Sequence, residues 1–317
     1  MKKVLCIGEA LIDMICTDRD QSLIKGEHFV KKPGGAPANV AAAIAALGGR
    51  VDLAAKVGAD PFGQQLISIL KNFSVGTQWV LQEQRAFTTL AFVSLFENGE
   101  RDFYFNRGAD GMLGIEDIPG IDLHDYSIVH FGSATAFLPG KLREAYFHLF
   151  DRCMERNVFI SFDPNFRALL FPRDRSEFIT QSWQFLERCD FFKLSDEEAL
   201  LLTGTNSLDE SVRILQQRSS AVFAITIGRD GALLGLNGSI TQVPGIPITP
   251  VDTTGAGDAF VGAVLFQLNG LSETELKSVS VDQWRKIIVN ANKAGARTCE
   301  YMGAMDAFRK LNMEIFR

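Results

Sequence analysis

The chain begins with short apolar runs alternating with longer stretches of helical period. VLCIG (4–8) is a compact apolar run closed by glycine, the pattern of a strand buried on both faces. ANVAAAIAALG (38–48) predicts an alanine-rich helix with Gly48 placed to cap its end. VDLAAKVG (51–58) returns to strand and DPFGQQLISILKNF (60–73) to helix. Strand, helix, strand, helix is the order of a parallel sheet covered by helices.

The next region breaks that rhythm. In TTLAFVSLFENGERDFYFN (88–106) apolar residues alternate on either side of Asn98-Gly99, a dipeptide that favours a tight hairpin because both central positions take positive φ. A hairpin does not fit easily into a doubly covered parallel sheet, so it is assigned, with residues around 12–32, to a small separate sheet that could act as a lid. The alternation then resumes. SIVHFG (127–132), VFISFD (158–163), FFKLS (191–195), AVFAITIG (221–228) and ALLGLN (232–237) read as strands, with helices near 139–156, ending near Arg188, and near 208–218. The expectation is one α/β domain over 1–317, its largely parallel sheet flanked by helices on both faces, with lid strands inserted at about 12–32 and 88–106 and ligands at the carboxyl ends of the strands.

Composition adds exclusions. With 46% hydrophobic and 22% charged residues the chain is ordinary globular material, and a net charge of −6 without long single-sign runs offers no basic stripe for nucleic acid. Cysteines at 6, 16, 153, 189 and 299 contain no C-x-x-C pair and are odd in number, which fits a reducing cytoplasm. The N-terminal lysines and apolar residues resemble a signal peptide briefly, but Glu9 and Asp13 interrupt the run, and no stretch is fit to cross a bilayer. The histidines at 28, 124, 130 and 148 have no metal-ligand spacing.

The chemistry concentrates in VDTTGAGDAF (251–260). Gly255, Ala256, Gly257 and Asp258 form the first turn of an apolar helix whose leading N–H groups have no internal partner, and small residues there let an anion approach the backbone. A carboxylate at the same place makes sense if the anion carries a transferring group and Asp258 takes the proton of an attacking hydroxyl. The helix dipole is expected to keep that carboxylate ionised. An Asp in a first turn is also a simple dipole complement. Phe260 stands where a dinucleotide fingerprint needs glycine, and Gln64 stands where the spacing of Gly58 and Gly63 would need a P-loop lysine.

Taken together, GGAPANVAAAIAALGG (34–49) and DTTGAGDAFVGA (252–263), with DPNFR (163–167) and KLSDEE (193–198) between them, resemble the signatures of the PfkB or ribokinase-like carbohydrate kinases. IGEALIDM, RGAD and DPNFR resemble the fructokinase branch most. The resemblance implies a ribokinase-like fold with Asp258 as base and the backbone of Gly255, Ala256 and Gly257 as anion hole. It implies that Asp13, Gly34, Gly35 and Asn39 hold sugar hydroxyls, although a turn glycine pair and a helix-capping Asn39 would serve structure alone. Arg107 and Arg167 would approach substrate or phosphates, with Asp110 a weaker candidate.

For ATP the resemblance implies Lys193, Thr226, Gly228, Gly231 and Asn292. The family's N-x-x-E motif is present with Ser195 replacing asparagine and Glu198 retained, which implies a water-mediated magnesium contact for Glu198. Asp252 and Thr254 resemble a potassium site, and an Asx-type turn would explain the same residues. The reading is an ATP- and magnesium-dependent sugar kinase of the cytoplasm, acting on the primary hydroxyl of fructose, and a homodimer through its lid. Its rivals are a 2-keto-3-deoxygluconate kinase, a ribokinase or a nucleoside kinase of the same fold, and a sugar-binding regulatory protein.

Overall fold

The computed structural model describes residues 2–96, 101–172 and 175–317. The Asn98-Gly99 turn lies outside the described residues. Among the described residues thirteen strands form two sheets: β1 (Lys3–Ile7), β2 (Leu11–Cys16), β3 (Phe29–Gly34), β4 (Val51–Gly58), β5 (Val80–Glu83), β6 (Leu90–Leu95), β7 (Arg101–Asn106), β8 (Tyr126–Phe131), β9 (Phe159–Phe162), β10 (Phe191–Ser195), β11 (Val222–Thr226), β12 (Ala232–Leu236) and β13 (Ser239–Val243). The helices are α1 (Ala36–Ala46), α2 (Pro61–Asn72), α3 (Lys141–Arg156), α4 (Ser176–Leu186), α5 (Asp196–Thr203), α6 (Leu208–Arg218), α7 (Ala256–Asn269), α8 (Glu273–Leu276), α9 (Val281–Cys299) and α10 (Ala304–Phe308).

The large sheet has the order β13-β12-β11-β10-β9-β8-β1-β4-β5. From β5 to β11 all neighbours are parallel, and only β12 is reversed, antiparallel to both β11 and the edge strand β13. Alternation along one strand explains why the sheet needs two covers. Val4 and Cys6 of β1 enter one core with α1, α7 and α9, whereas Leu5 and Ile7 enter a second core with α3, α4 and α5. The second core is aromatic: Phe185 of α4 lies 4.2 Å from Phe150 of α3 and 4.9 Å from Phe162 of β9, centroid to centroid.

The small sheet, β3-β2-β6-β7, pairs β2 parallel to β6 and the other neighbours antiparallel. Four crossings between the sheets fall together: Gly8–Ala10 between β1 and β2, Gly34–Gly35 after β3, Thr88–Thr89 before β6, and Arg107–Asp110 after β7.

Local boundaries have local causes. The first helix starts at Ala36 rather than 38 because Pro37, within the opening turn, already has helical φ. It ends at Ala46 with Leu47 as its C-cap, and Gly48 at φ +91° is the residue that turns the chain out. The strand read as 221–228 stops at Thr226, and a short 3₁₀ turn follows at Gly228–Asp230.

Candidate active site

The carboxyl ends of the parallel strands gather the polar residues. Glu9 follows β1, Gly132 to Thr135 follow β8, Asp163 to Arg167 follow β9, Glu198 follows β10, and Thr226 to Gly231 lie at the end of β11. A cleft of about 830 Å³ opens at the opposite, amino-terminal edge of the sheet, lined by Tyr126, Phe159, Val222 and Trp284 among others. None of the residues predicted for the site lines it.

Helix α7 begins over those carboxyl ends. Its N-cap Gly255 sits at φ +81°, and a Cβ there would lie 2.4 Å from the Cβ of Ala304, a collision that reserves the position for glycine. The Ala256 N–H turns back to the Thr253 carbonyl at 3.2 Å, and the first bond of the helix runs from Ala259 to Gly255 at 2.8 Å. The N–H groups of Gly255, Gly257 and Asp258 therefore have no backbone acceptor among the described residues. Of the predicted anion hole, the two glycines keep free donors, Ala256 does not, and Asp258 adds its own.

Asp258 is 8% exposed and takes a 2.8 Å hydrogen bond on Oδ2 from Nδ2 of Asn39. Asn39 stands in the first turn of α1 but is not its cap, since Gly35 occupies that place without a side-chain bond. Its carboxamide is thus free to cross to α7. The crossing is short because Gly262 packs where a Cβ would come 2.7 Å from that of Ala43. Small residues on both helices bring the two first turns together. Burial raises the pKa of Asp258 above the usual carboxylate value; hydrogen bonds from Asn39 and Asn165 and the charges of Arg167 and Lys193 oppose the rise.

Asp13, in β2, lies against Gly34 at the end of β3, where a Cβ would strike its Oδ2. Burial lifts the Asp13 carboxyl to about 6, with Arg167 pulling it down and Glu9 pushing it up. Gly35 takes φ +100°, and its Cβ would meet the Glu9 carbonyl at 2.5 Å. Arg167 is exposed, donates to the Phe166 carbonyl at 3.3 Å, and acts electrostatically on both Asp13 and Asp258. Arg107 is held differently. Its guanidinium donates to the carbonyls of Pro139 (2.8 Å) and Thr135 (3.1 Å) and approaches Asp110 at 3.4 Å, which fixes it to the protein frame.

Lys193 is buried, 3.3 Å from Asp163 and 3.8 Å from Glu198, and next to Gly257, whose Cβ would lie 3.4 Å from Nζ. Burial disfavours its charge, but Asp163, Glu198 and Asp258 together hold its pKa above the usual lysine value. One cation shared among three carboxylates leaves the most enclosed of them raised: burial takes Asp163 to about 7. Ser195 caps α5 in a reciprocal box with Glu198, which accepts from the N–H groups of Ser195 (2.7 Å) and Phe166 (2.8 Å). Serine thus performs the capping task at the position where the family signature carries asparagine.

Along β11, Thr226 donates to the Leu194 carbonyl at 3.3 Å. Gly228 is exposed at φ +56° with open space around it, whereas Gly231 at φ +95° packs against the backbone of Val243 and Gly245. Asn292 in α9 gives its amide protons to the carbonyls of Val243 (3.2 Å) and Pro244 (2.9 Å), so it braces the segment after β13. Asp252 accepts from the N–H and hydroxyl of Thr254 at 2.9 and 2.7 Å, the geometry of an Asx turn, and from Gly303 N–H at 2.7 Å.

Sequence reasoning did not single out Glu9, Asp163, Asn165 or Thr135. Asn165 was within reach, because asparagine tolerates the left-handed φ of +50° it adopts inside the DPNFR segment. Glu9 and Thr135 have no local signal.

This is the architecture of an α/β enzyme built to transfer a group to a hydroxyl. The chain belongs to the pfkB family of carbohydrate kinases, which it matches over residues 1–310. It is 34% identical over 307 residues to probable fructokinase-2 of Arabidopsis thaliana, covering 96% of this chain and 92% of that one. Its fold superposes on a fructokinase with bound ATP from Xylella fastidiosa with a TM-score of 0.87 at 30% identity, covering 100% and 97% of the two chains. A fructokinase double mutant from Vibrio cholerae O395 in a fructose-, ADP- and potassium-bound form gives a TM-score of 0.84 at 29% identity, covering 100% and 97%.

Proposed function

We propose that the chain is an ATP-dependent fructokinase in which Asp258 removes the proton of the sugar's primary hydroxyl as that oxygen attacks the γ-phosphate. One observation carries the reading: a buried carboxylate at the start of α7, oriented by Asn39, adjoins N–H groups that have no backbone acceptor among the described residues. The sugar would lie between Asp258 and the lid residues Asp13 and Gly34, with Gly35 and Asn39 beneath it. ATP would extend from the α7 donors toward Thr226 and Gly228. Lys193 is near enough to those donors to offset phosphate charge, and Arg167 lies near both carboxylates that would flank the sugar. A raised pKa suits a base that takes its proton late in a loose transition state. Closing the lid would keep water from accepting the phosphoryl group.

Magnesium, when bound with the nucleotide, would neutralise phosphate charge. Among the described residues no three acidic, histidine or cysteine side chains cluster to cage a metal, and both Glu198 oxygens already accept backbone N–H groups. That donor set fits magnesium held through water, and Glu198 and Asp163 are the residues that would hold it. Asp252 and Thr254 are proposed to shape the loop at a potassium ion beside the anion hole.

Val30, Phe87 and Tyr104, on and next to the lid strands, are 45, 46 and 60% exposed, which supports a homodimer that covers the lid. Sedimentation of wild type and Tyr104→Asp tests it: the substitution should shift the protein to monomer. No helix of the described residues is long and apolar enough to cross a membrane, and all five cysteines are buried and unpaired, which supports a cytoplasmic setting.

The deciding experiment is ADP release with ATP and magnesium over fructose, ribose, 2-keto-3-deoxygluconate and nucleosides. Fructose should give the highest kcat/KM. Another leader would retain the kinase and replace the sugar; tight sugar binding without ADP release would point to a regulatory protein.

A further inference from the structure

We propose that Glu9 is a positioning residue that holds a proton at neutral pH and, through Thr135 and Asp110, locks the sugar-binding turn of α1 to the crossings of the lid.

The number of protons among these buried groups decides which carboxyl carries one. Glu9, 1% exposed, accepts on Oε1 from the N–H groups of Ala36 (3.1 Å) and Ala134 (3.3 Å). Its Oε2 receives the Ser133 hydroxyl and lies 3.3 Å from the Thr135 hydroxyl. Asp110, also 1% exposed, takes the Thr89 hydroxyl on Oδ1, and on Oδ2 faces the Thr135 hydroxyl at 2.9 Å and Arg107 Nε at 3.4 Å. The Ser133 hydroxyl is already an acceptor for Ala136 N–H at 3.0 Å, and the Thr89 hydroxyl for Gly108 N–H at 2.8 Å, so the single proton of each is free to point at its carboxylate.

Thr135 has one hydroxyl proton and two carboxyl neighbours. The shorter contact goes to Asp110. With Glu9 ionised, its contact with Thr135 would be lone pair against lone pair, and two buried carboxylates would share the one guanidinium of Arg107. With Glu9 protonated, the row closes: Glu9 donates to Thr135, Thr135 donates to Asp110, and Asp110 also accepts from Arg107. The groups that bear on Glu9 agree. Burial raises its pKa most, and Asp110 adds to the rise; Ser133 and the backbone N–H groups oppose it. The phenol of Tyr146, which accepts from Ser133 N–H at 3.3 Å, and Asp13 are the other titratable neighbours, and neither is a cation.

The row joins every crossing between the sheets. Glu9 lies between β1 and β2, Thr89 before β6, Arg107 and Asp110 after β7, and Ala36 one residue beyond the Gly34-Gly35 pair. Loosening it would move Gly35 and Asn39 relative to Asp13 and Gly34 of the lid without touching the nucleotide side.

The kinetic part of the test rests on the fructokinase reading; the spectroscopic part does not. Infrared difference spectra of wild type against Glu9→Gln at pH 7 should contain the carbonyl band of one protonated carboxyl. Its absence would overturn the protonation whether or not the protein phosphorylates fructose. Kinetically, Glu9→Gln, an amide that can donate as the acid does, should retain the wild-type fructose KM. Thr135→Val, which keeps shape and removes the relay, should raise fructose KM by about tenfold with kcat and ATP KM little changed. Thermal melting shows that each variant is folded. A Glu9→Gln enzyme as impaired as Glu9→Ala would mean that the anion is required, and an unchanged fructose KM in Thr135→Val would remove the positioning role.

Discussion

Asn39 and Asp258 stand 219 positions apart in sequence and 2.8 Å apart in space, the carboxamide of one first turn donating to the carboxylate of another. A hydrogen bond to a charged group contributes about 1.5–3 kcal/mol when both partners are buried, and here it favours the ionised form against the desolvation that raises Asp258. Asn39→Ala should therefore push the Asp258 pKa further up. A base with a higher pKa stays protonated to higher pH, so the acid limb of the kcat/KM profile for fructose should move toward neutrality. An unmoved limb would mean that another group titrates.

Replacing the carboxylate itself is the sharper test of its role. Asp258→Asn preserves size and can still bond to Asn39 after a flip of either amide, but it cannot accept a proton. ADP release should fall by about 10²–10⁴-fold, the range for loss of a positioned general base. Calorimetric binding of fructose and of ATP should persist. Loss of binding in parallel with turnover would show that the residue holds the site together rather than taking the proton.

Gly34 should act through Asp13. A methyl group at Gly34 would strike Asp13 Oδ2, so Gly34→Ala must turn that carboxylate out of its place. Fructose KM should rise by about tenfold or more, since a one-methyl change in a filled site is commonly worth that much. ATP KM should hardly change, because Thr226 and Gly228 lie at the end of β11, whereas Gly34 belongs to the lid sheet. An equal rise for both substrates would argue for general distortion.

What the sequence reveals depends on how local each cause is. VDLAAKVG is read as strand 51–58 and forms Val51–Gly58, because a continuous apolar run ending at glycine admits little else. The start of α7 is equally legible from small residues ahead of an apolar stretch. Strand β13, with only Val243 buried, lacks the apolar pattern that marks the inner strands. Helix α5 escapes because SDEEALLLT follows a strand without a break, although the Ser195 and Glu198 capping box is written in the sequence. Helix α9 carries the same signal at Ser280 and Gln283. In the site, Asp258 is legible because its surroundings are its own turn. Glu9 and Thr135 are not, because their meaning comes from partners more than a hundred residues away.

Asp163 makes the stability of the protein depend on pH. Its carboxyl has a folded value of about 7 against an ordinary 3.8, burial being the main cause, so between those values the folded chain binds a proton that the unfolded chain does not. This contribution is complete below about 3.8 and is lost as pH rises through 7. His130 works in the opposite sense. Burial lowers it to about 3 from 6.5, so in that window the unfolded chain binds the extra proton and stability falls as pH falls. The two oppose each other over most of the range, which makes the wild-type curve alone uninformative. The difference between wild type and Asp163→Asn isolates the carboxyl. In urea unfolding from pH 4 to pH 7.5, the variant should gain stability relative to wild type as pH rises, with most of the change complete by about pH 7. A constant difference would mean that Lys193, 3.3 Å away, keeps Asp163 ionised throughout, and the carboxylate would then be available to the nucleotide side of the site at every pH tested.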